Sequence, residues 1–343
     1  MKLGLIGKSQ SGKDTLFDVL TKNCGHVNAP TERRIGTIAV PDSRVDVLTR
    51  MYQPRKTTYA QVEYFLPGAA DHEQAKRESS IWTQVRACDG LIQVVRNFHE
   101  YGGADPTPVE DFVALTQELI LADLLVIEKR LERLTADKQR GRSVDPKETA
   151  LLTECRETLE SEMPLRSKSH LASHPLLRGY TFLSAKPTLV LFNNDDDCDD
   201  MPDLSSSPLA TESMVIKGKL EHEIAGLSEE EAAAFMAEFD IQASARERVI
   251  EKSYELLGLV SFFTVGEDEV RAWTIARNTD ALDAAEVIHS DIKKGFIRAE
   301  VIAYDDLLAE GSYAAARRKG LVRLEGKTYK VADGDIINFR FNV

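Results

Sequence analysis

Short apolar runs alternate along most of the chain with stretches long enough to form a helix. The first run, residues 3–6, is followed by a glycine-rich turn and by a helical pattern over residues 15–20. Apolar runs of this length are typical of buried parallel strands. The alternation therefore predicts an α/β layer with a largely parallel sheet. Its further strands are expected at residues 37–40, 62–65, 91–95, 188–192 and 214–216.

A different pattern begins near residue 110 and continues to about residue 163. Apolar side chains recur there near helical spacing, at Phe112, Leu115, Leu119, Val126, Ile127, Leu131 and Leu134. After the polar, basic residues 138–143, Asp145 is placed to cap a second helix with Pro146 at its first position. We expect an antiparallel pair of helices, inserted between two strands and packed along its apolar stripe, whose polar tip a larger partner could contact.

The last third of the chain predicts two helices and then a small separate domain. The helices are expected at residues 228–239 and 244–257, the first of them capped by Ser228. From residue 260 onward, short strands surround turns and one helix, which is typical of a compact α+β module of ubiquitin-like size. Its strands are expected at residues 261–265, 270–275, 299–303, 322–324, 328–331 and 336–341, and its helix at residues 281–288.

The composition is that of a globular protein with two or three domains: 343 residues, of which 43% are hydrophobic and 29% charged. No apolar stretch approaches the roughly 20 residues of a membrane helix, and the N-terminus lacks the long apolar region of a signal peptide. The four cysteines form no CxxC pair. These features predict a cytoplasmic protein that does not enter the membrane.

The net charge of −13 argues against extensive wrapping of nucleic acid. The imbalance is uneven, because residues 260–343 contain 12 Lys and Arg against 14 Asp and Glu. The small C-terminal domain can therefore carry local basic patches, such as Lys293-Lys294 and Arg317-Arg318-Lys319.

A phosphate-binding motif lies between the first predicted strand and the first predicted helix. The first seven positions of the pattern G-x-x-x-x-G-K-[ST] are matched by Gly7, Lys8, Ser9, Gln10, Ser11, Gly12 and Lys13. In such a loop the glycines let backbone N–H groups face the β-phosphate, and the lysine adds a positive charge near the β- and γ-phosphates. The strand before it and the helix after it favour nucleotide binding over an unrelated glycine-rich turn.

The eighth position of this motif is altered. Where Ser or Thr would offer a hydroxyl to Mg²⁺, the chain has Asp14, followed by Thr15. A carboxylate is a good ligand for a hard cation, so Asp14 is a candidate metal ligand, but it also brings negative charge close to the β-phosphate. Thr15 lies about 100° further round the helix and would not simply take over the role. The sequence therefore argues against ordinary Mg²⁺ binding by this loop.

Together with this motif, segments spread over essentially the whole chain resemble the YchF/Obg-like ATPase family of P-loop NTPases. The most specific lie at residues 254–257, 262–266, 269–275, 289–291, 294–299 and 329–339, and residues 41–48, 118–124 and 186–188 match as well. The resemblance implies a P-loop G domain formed by residues 1–109 and 176–259. It further implies an antiparallel helical coiled-coil insertion over residues 110–175 and a TGS domain, of α+β ubiquitin-like type, over residues 260–343.

The resemblance also implies a base-recognition segment at the end of a strand. The N-K-x-D element of GTPases, altered in this family to favour ATP, aligns with Asn193-Asn194-Asp195-Asp196. By this alignment Asn193 would hold the base and the phosphate loop, and Asp196 stands where a carboxylate would accept from guanine N–H groups. Because Asn194 replaces the usual lysine, the choice between ATP and GTP stays open.

A second metal-linked segment of the family is altered as well. Its D-x-A-G sequence aligns with residues 65–68, and Leu66 is taken to replace the aspartate. In the preceding switch, Thr31 is the candidate metal-binding threonine. Arg33 or Arg34 could supply a compensating charge, against the simpler interpretation of a solvated basic loop. Because hydrolysis relies on Mg²⁺ to neutralise charge on the phosphates, two altered positions predict slow or absent turnover, and no catalytic residue is assigned.

Two functions compete for this sequence. The first is a nucleotide-dependent switch, in which ATP or GTP changes the affinity of the helical arm and the TGS domain for a partner; the resemblance implies the ribosome or its RNA, and a monomer. The second is a non-catalytic interaction protein on a degenerate G-domain scaffold. The intact loop with Asn193 and Asp196 favours the first, whereas Asp14 and Leu66 favour the second. A metabolic enzyme of another α/β class has no supporting motif.

Overall fold

A computed structural model of the protein describes residues 1–22, 33–68, 81–100, 102–204, 209, 211–239 and 241–342. The chain divides into two compact units, Met1–Thr37 with Glu63–Val249 and Ile38–Val62 with Ile250–Val343. Thr31, the candidate switch threonine, lies outside the described residues.

The described strands are β1 (Lys2–Gly7), β2 (Arg34–Ala39), β3 (Lys56–Thr58), β4 (Gln61–Leu66), β5 (Gly90–Asn97), β6 (Thr188–Asn194), β7 (Ser213–Ile216), β8 (Leu259–Thr264), β9 (Glu269–Ala276), β10 (Phe296–Ala303), β11 (Arg323–Glu325) and β12 (Asp335–Phe341). The described α-helices are α1 (Lys13–Thr21), α2 (Ser43–Tyr52), α3 (Ile81–Val85), α4 (Pro108–Gln139), α5 (Pro146–Glu160), α6 (Ser169–Ala172), α7 (Gly218–Ala225), α8 (Glu229–Glu238), α9 (Ala245–Leu256), α10 (Ala281–Ile288), α11 (Ser290–Lys294), α12 (Tyr304–Glu310) and α13 (Tyr313–Arg318). None of these helices combines the length and the apolar character needed to cross a membrane.

The first unit is built around a six-stranded sheet with the order β2-β4-β1-β5-β6-β7. Strand β1 runs parallel to β4 and β5, and β6 runs parallel to β5 and β7. All seven residues of β6 are buried, as expected for a strand covered on both faces. Each of the strands predicted from the apolar runs in this region is present, so the prediction of a largely parallel α/β layer is confirmed.

Helices α4 and α5 form the predicted helical hairpin. Asp145 caps α5 as predicted, because its Oδ1 accepts a hydrogen bond of 2.8 Å from the backbone N–H of Lys147. A separate apolar cluster fills the space between the two helices; it includes Ile127, Leu134, Leu152, Cys155 and Leu159. The apolar stripe of α4 therefore packs against the partner helix, as expected from its spacing.

A buried carboxylate anchors this hairpin to the rest of the first unit. Asp123 of α4 is fully buried, and its two oxygens accept hydrogen bonds from the N–H groups of Leu183 (3.0 Å) and Ser184 (2.7 Å). Arg86 Nη1 lies 2.9 Å from Asp123 Oδ1. Because a buried charge is tolerated only when it is paired and hydrogen-bonded, these contacts fix α4 against residues 183–184.

The second unit contains a mixed six-stranded sheet with the order β11-β10-β12-β8-β9-β3. Strand β8 is parallel to β12 and β3 is parallel to β9, whereas β10 is antiparallel to both of its neighbours. Helix α10 covers an apolar core that includes Phe262, Ala281, Ala285, Val301 and Ile337. The predicted strand at residues 328–331 is wrong, because that stretch forms only an isolated bridge between Lys330 and Asp280.

Residues 38–62 contribute α2 and β3 to the second unit, although the sequence placed them in the first domain. An arginine from this segment explains the grouping. Arg44 Nη2 lies 2.8 Å from Asp42 Oδ2, and Arg44 Nη1 lies 2.7 Å from Asp333 Oδ2. The guanidinium carbon of Arg44 lies 5.0 Å from the ring centroid of Phe263. The short strand β3 consists of a lysine and two threonines and carries no apolar run, which is why the hydrophobic pattern did not predict it.

Candidate functional site

The predicted phosphate loop connects β1 to α1. Two of its residues have left-handed backbone conformations, Gln10 with φ 61° and Gly12 with φ 84°. The N–H of Ser11 donates to the carbonyl oxygen of Lys8 at 3.3 Å, which closes the loop. Gly7 leaves no room for a side chain, because a Cβ there would lie 2.5 Å from Ser11 Oγ. The loop thus has the compact geometry that the motif predicts, with Ser9 and Gln10 exposed and Ser11 buried.

Asn193, at the carboxyl end of β6, holds this loop in place. Its Nδ2 donates to the carbonyl oxygen of Ser11 at 3.2 Å, and its Oδ1 accepts from the N–H of Gly218 at 2.9 Å. A Cβ on Gly12 would lie 2.2 Å from Asn193 Nδ2, and a Cβ on Gly218 would lie 2.6 Å from Oδ1. The carboxamide therefore fits only because both neighbours are glycines, and it joins the loop to the start of α7.

A cavity of about 560 Å³ opens beside this carboxamide. It is lined by Gly12, Thr15, Phe98, His99, Glu100, Asn193, Asn194, Asp195, Asp196, Gly218, Lys219, His222 and Glu223. Asn194 forms part of the wall, and its side chain is held at both ends. Its Oδ1 accepts a hydrogen bond from Asn97 Nδ2 at 2.9 Å, and its Nδ2 donates to the carbonyl oxygen of Asp200 at 2.9 Å. A flat aromatic ligand the size of a purine would fit such a space.

Two carboxylates at the start of the acidic run 195–200 are held by hydrogen bonds. Asp195 accepts from the backbone N–H of His99 at 3.1 Å, and its Oδ2 lies 2.8 Å from His99 Nδ1. The side-chain hydrogen bond from His99 holds the pKa of Asp195 below its ordinary value. Asp196 Oδ1 accepts from the N–H of Leu220 at 3.1 Å, in the first turn of α7. These two carboxylates tie the start of the run to both walls of the cavity.

The two lysines of the phosphate loop have different partners. Lys13 Nζ donates to the carbonyl oxygen of Lys8 at 3.4 Å and lies 3.8 Å from Asp14 Oδ2. Lys8 Nζ lies 2.7 Å from Asp111 Oδ1, in the first turn of α4. The side chain of Asp14 is 61% exposed. The loop therefore carries one ammonium group beside the open carboxylate of Asp14 and a second one paired with Asp111.

The metal side of the site lacks the usual ligands. The segment aligned with D-x-A-G has Phe65 and Leu66 where the metal-linked aspartate would be expected. Both side chains are apolar and buried. Among the residues that the structure describes, no group of three or more His, Cys, Asp or Glu side chains could hold a metal ion. Of Asp14, Phe65 and Leu66, only Asp14 carries a carboxylate, so these three residues do not fit an ordinary Mg²⁺ site.

Arg34, considered as a compensating charge, has its own partners. Its guanidinium forms an ion pair with Asp18 and lies 4.5 Å from the ring centroid of Phe17. The side chain is only 14% exposed, so it is neither a solvated loop residue nor free for the phosphates. Arg33 is exposed.

Several residues of the cavity wall were missed by the sequence motifs, namely Phe98, His99, Gly218, Lys219 and His222. They follow the carboxyl ends of β5 and β7, the strands on either side of β6. Ligands of open α/β sheets bind outside the carboxyl ends of the strands. The position after each predicted strand was therefore a signal that could have identified them.

Comparisons with known proteins agree on one family. The family model YchF-GTPase_C, described as "Protein of unknown function (DUF933)", matches residues 259–342. The "Ribosome-binding ATPase YchF" of Bacillus subtilis is 36% identical, over 99% of this chain and 99% of that protein. The protein of the same name from Escherichia coli O157:H7 is 34% identical, over 100% of this chain and 99% of its own length.

Solved structures agree with this result. The Schizosaccharomyces pombe YchF GTPase superposes with a TM-score of 0.82 at 27% identity, covering 99% of this chain and 97% of that one. A GTP binding protein from Pyrococcus horikoshii OT3 shares the fold, with a TM-score of 0.61 at 18% identity over the full length of both chains. Full-length relatives above 30% identity and a matching fold lead to one conclusion: the chain belongs to the YchF family.

Proposed function

We propose that the chain is a nucleotide-binding regulatory switch of the YchF type, which takes ATP or GTP between the phosphate loop and the cavity beside Asn193. Residues 1–109 and 176–259 would act as the P-loop G domain, residues 110–175 as its coiled-coil arm and residues 260–343 as a TGS domain. The nucleotide would be held by the loop from Gly7 to Lys13 together with Asp14, Thr15, Asn193 and Asp196.

One observation carries this proposal: the hydrogen bonds of Asn193 to the phosphate loop and to Gly218. They place the cavity directly next to the loop, so that a base in the cavity and phosphates over the loop belong to one molecule. Asn193 Nδ2 has a second hydrogen, which can reach the N7 acceptor common to adenine and guanine. Asp196 would contact the far edge of the base, and which purine is preferred stays open.

We further propose that hydrolysis is slow or absent. Asp14 stands at the position of the hydroxyl that would bind Mg²⁺, and apolar side chains stand at Phe65 and Leu66. Without these ligands the metal cannot be held in the geometry that neutralises charge developing on the phosphates.

The partner proposed is the ribosome or its RNA, contacted through the helical arm and the C-terminal domain. This follows the name of the Bacillus subtilis relative, a ribosome-binding ATPase. The basic residues at the tip of the hairpin, Lys138, Arg140 and Arg142, are exposed or partly exposed and suit contact with phosphates. The proposal includes a cytoplasmic monomer.

Calorimetric titration with non-hydrolysable ATP and GTP analogues, with and without Mg²⁺, tests the proposal. We expect saturable binding that Mg²⁺ changes little, and a loss of binding in Lys13→Ala, because Lys13 supplies the charge nearest the phosphates. Lys129→Ala, an exposed lysine on α4, is the matched control and should bind as the unchanged protein does. Absence of binding by the unchanged protein under every condition would refute the switch.

The alternative is a non-catalytic interaction protein on a degenerate G-domain scaffold. It is favoured by the exposed carboxylate of Asp14 beside Lys13, which would repel phosphates. Under this alternative the arm and the C-terminal domain bind their partner with the same affinity whether or not nucleotide is added. Measuring ribosome co-sedimentation with and without the analogues separates the two functions.

A further inference from the structure

The ion pair between Lys8 and Asp111 is a direct link between the phosphate loop and the helical hairpin. Lys8 is the second residue of the loop, and its Nζ lies 2.7 Å from Asp111 Oδ1. The side chain of Lys8 is 41% exposed, so its ammonium group can leave this position without crossing packed protein.

Asp111 does not depend on Lys8 for its stability. It lies in the first turn of the 32-residue helix α4, where its own N–H donates to the carbonyl oxygen of Thr107 at 2.9 Å. A carboxylate in the first turn is stabilised by the free N–H groups and the positive end of the helix dipole. The carboxylate can therefore release Lys8 and still have a favourable environment.

The phosphates of a bound nucleotide would need a second cation at this loop. Lys13 is 3.8 Å from the carboxylate of Asp14, which offsets part of its charge. Arg34 is already paired with Asp18. The described residues also offer no metal-holding cluster. Since Lys13 Nζ donates to the carbonyl oxygen of Lys8, the backbone of Lys8 is already next to the first ammonium group.

We propose that Lys8 is a second phosphate-binding lysine, which exchanges between Asp111 and the phosphates of the bound nucleotide. This inference rests on the proposed nucleotide-binding function. A terminal phosphate competes with one carboxylate oxygen for the same ammonium group, and a triphosphate competes better than a diphosphate because it carries more charge. The ammonium group thereby supplies part of the positive charge that Mg²⁺ supplies elsewhere.

The exchange also couples the loop to the hairpin. When Lys8 moves to the phosphates, the first turn of α4 loses its ion pair with the loop. A partner that binds the hairpin more tightly when Asp111 is released must then increase nucleotide affinity. By thermodynamic linkage, bound nucleotide increases the affinity for that partner by the same factor.

Titration of nucleotides in the presence of EDTA tests this inference. Lys8→Met removes the ammonium group but keeps the apolar stem, and Asp111→Asn removes the competing charge. We expect Lys8→Met to weaken triphosphate binding about tenfold and diphosphate binding less, and Asp111→Asn to tighten triphosphate binding a few-fold. The double variant should bind as Lys8→Met does, because Asp111 acts only through Lys8. Lys129→Met on the same helix is the control.

The outcomes distinguish a failure of the Lys8 exchange from a failure of the proposed nucleotide-binding function. If the full-length protein binds nucleotide and Lys8→Met binds it equally well, the inference is refuted and the proposed function stands. If Asp111→Asn weakens binding as much as Lys8→Met, the ion pair only holds the loop in shape, and the exchange is again refuted. If the unchanged protein binds no nucleotide, the proposed function fails and the inference fails with it.

Discussion

The base side and the metal side of the candidate site differ in how completely they are built. On the base side, both ends of the Asn193 carboxamide are hydrogen-bonded, and glycines at positions 12 and 218 provide the space it needs. On the metal side, Asp14 is exposed and Leu66 is a buried apolar residue. The base side depends on packing within the fold, so it persists while the fold persists. The metal side depends on single side chains, which can change without unfolding the protein.

The largest effect is expected from Gly12→Ala, which disrupts the packing of the base side. Its Cβ would lie 2.2 Å from Asn193 Nδ2, and the residue has a φ of 84° that alanine adopts with strain. We expect the free energy of unfolding to fall by about 2–3 kcal/mol and nucleotide affinity to fall at least about 100-fold. Thermal unfolding and calorimetric titration measure the two effects.

Gly141→Ala is the matched control for this variant. Gly141 has a similar φ of 74°, but no atom lies within 4 Å of the position of its Cβ. Its substitution should therefore cost only the backbone strain, about 1 kcal/mol, with no change in nucleotide affinity. Equal effects of the two substitutions would show that strain, and not the clash with Asn193, determines the geometry of the loop.

A smaller effect, on the metal side, is expected from Asp14→Ser. The substitution removes a carboxylate next to Lys13 and returns the hydroxyl that the motif uses for Mg²⁺. We expect Mg²⁺ to strengthen triphosphate binding about tenfold in this variant and to have little effect on the unchanged protein. Titrations with and without the metal measure this difference.

Asp14→Ala distinguishes the effect of the negative charge at position 14 from the effect of Mg²⁺ ligation, since it removes the carboxylate without adding a hydroxyl. It should bind triphosphate more tightly than the unchanged protein in EDTA, yet gain nothing from Mg²⁺. If the serine and alanine variants respond alike to the metal, position 14 is not a potential metal ligand in this loop. The comparison between the two sides of the site would then rest on Phe65 and Leu66.

The smallest effect concerns Asp195, whose pKa is lowered by its hydrogen bond from His99. A carboxyl group with a lowered pKa in the folded state contributes stability above its unfolded pKa of about 3.9, and this contribution is lost as pH falls through the folded value. For so exposed a pair we expect about 0.5 kcal/mol or less. The difference in unfolding free energy between the unchanged protein and Asp195→Asn should be present at about pH 5 and disappear below about pH 4. A difference that persists or grows below about pH 4 would contradict this sign.

The regular elements were largely predictable from the sequence. Apolar runs predicted the parallel strands of the first sheet, and the serine at position 228 predicted a helix start that the structure confirms as a capping box with Glu231. These signals are local, because a cap or an apolar run acts within one or two turns of the chain. The isolated bridge at Lys330 shows where local signals are insufficient, since a β-prone run forms a strand only when a neighbouring strand pairs with it.

The sequence by itself determined the phosphate loop, the hairpin and the altered position 14, since each is a pattern of adjacent residues. Only the tertiary structure decided which distant residues meet at the loop. Asn193 is 182 residues from Ser11, and Asp111 is 103 residues from Lys8. The order of the strands in the sheet brings the first pair together, and the packing of α4 beside β5 brings the second. Contacts of this kind depend on how whole elements pack, and no short pattern in the chain records them.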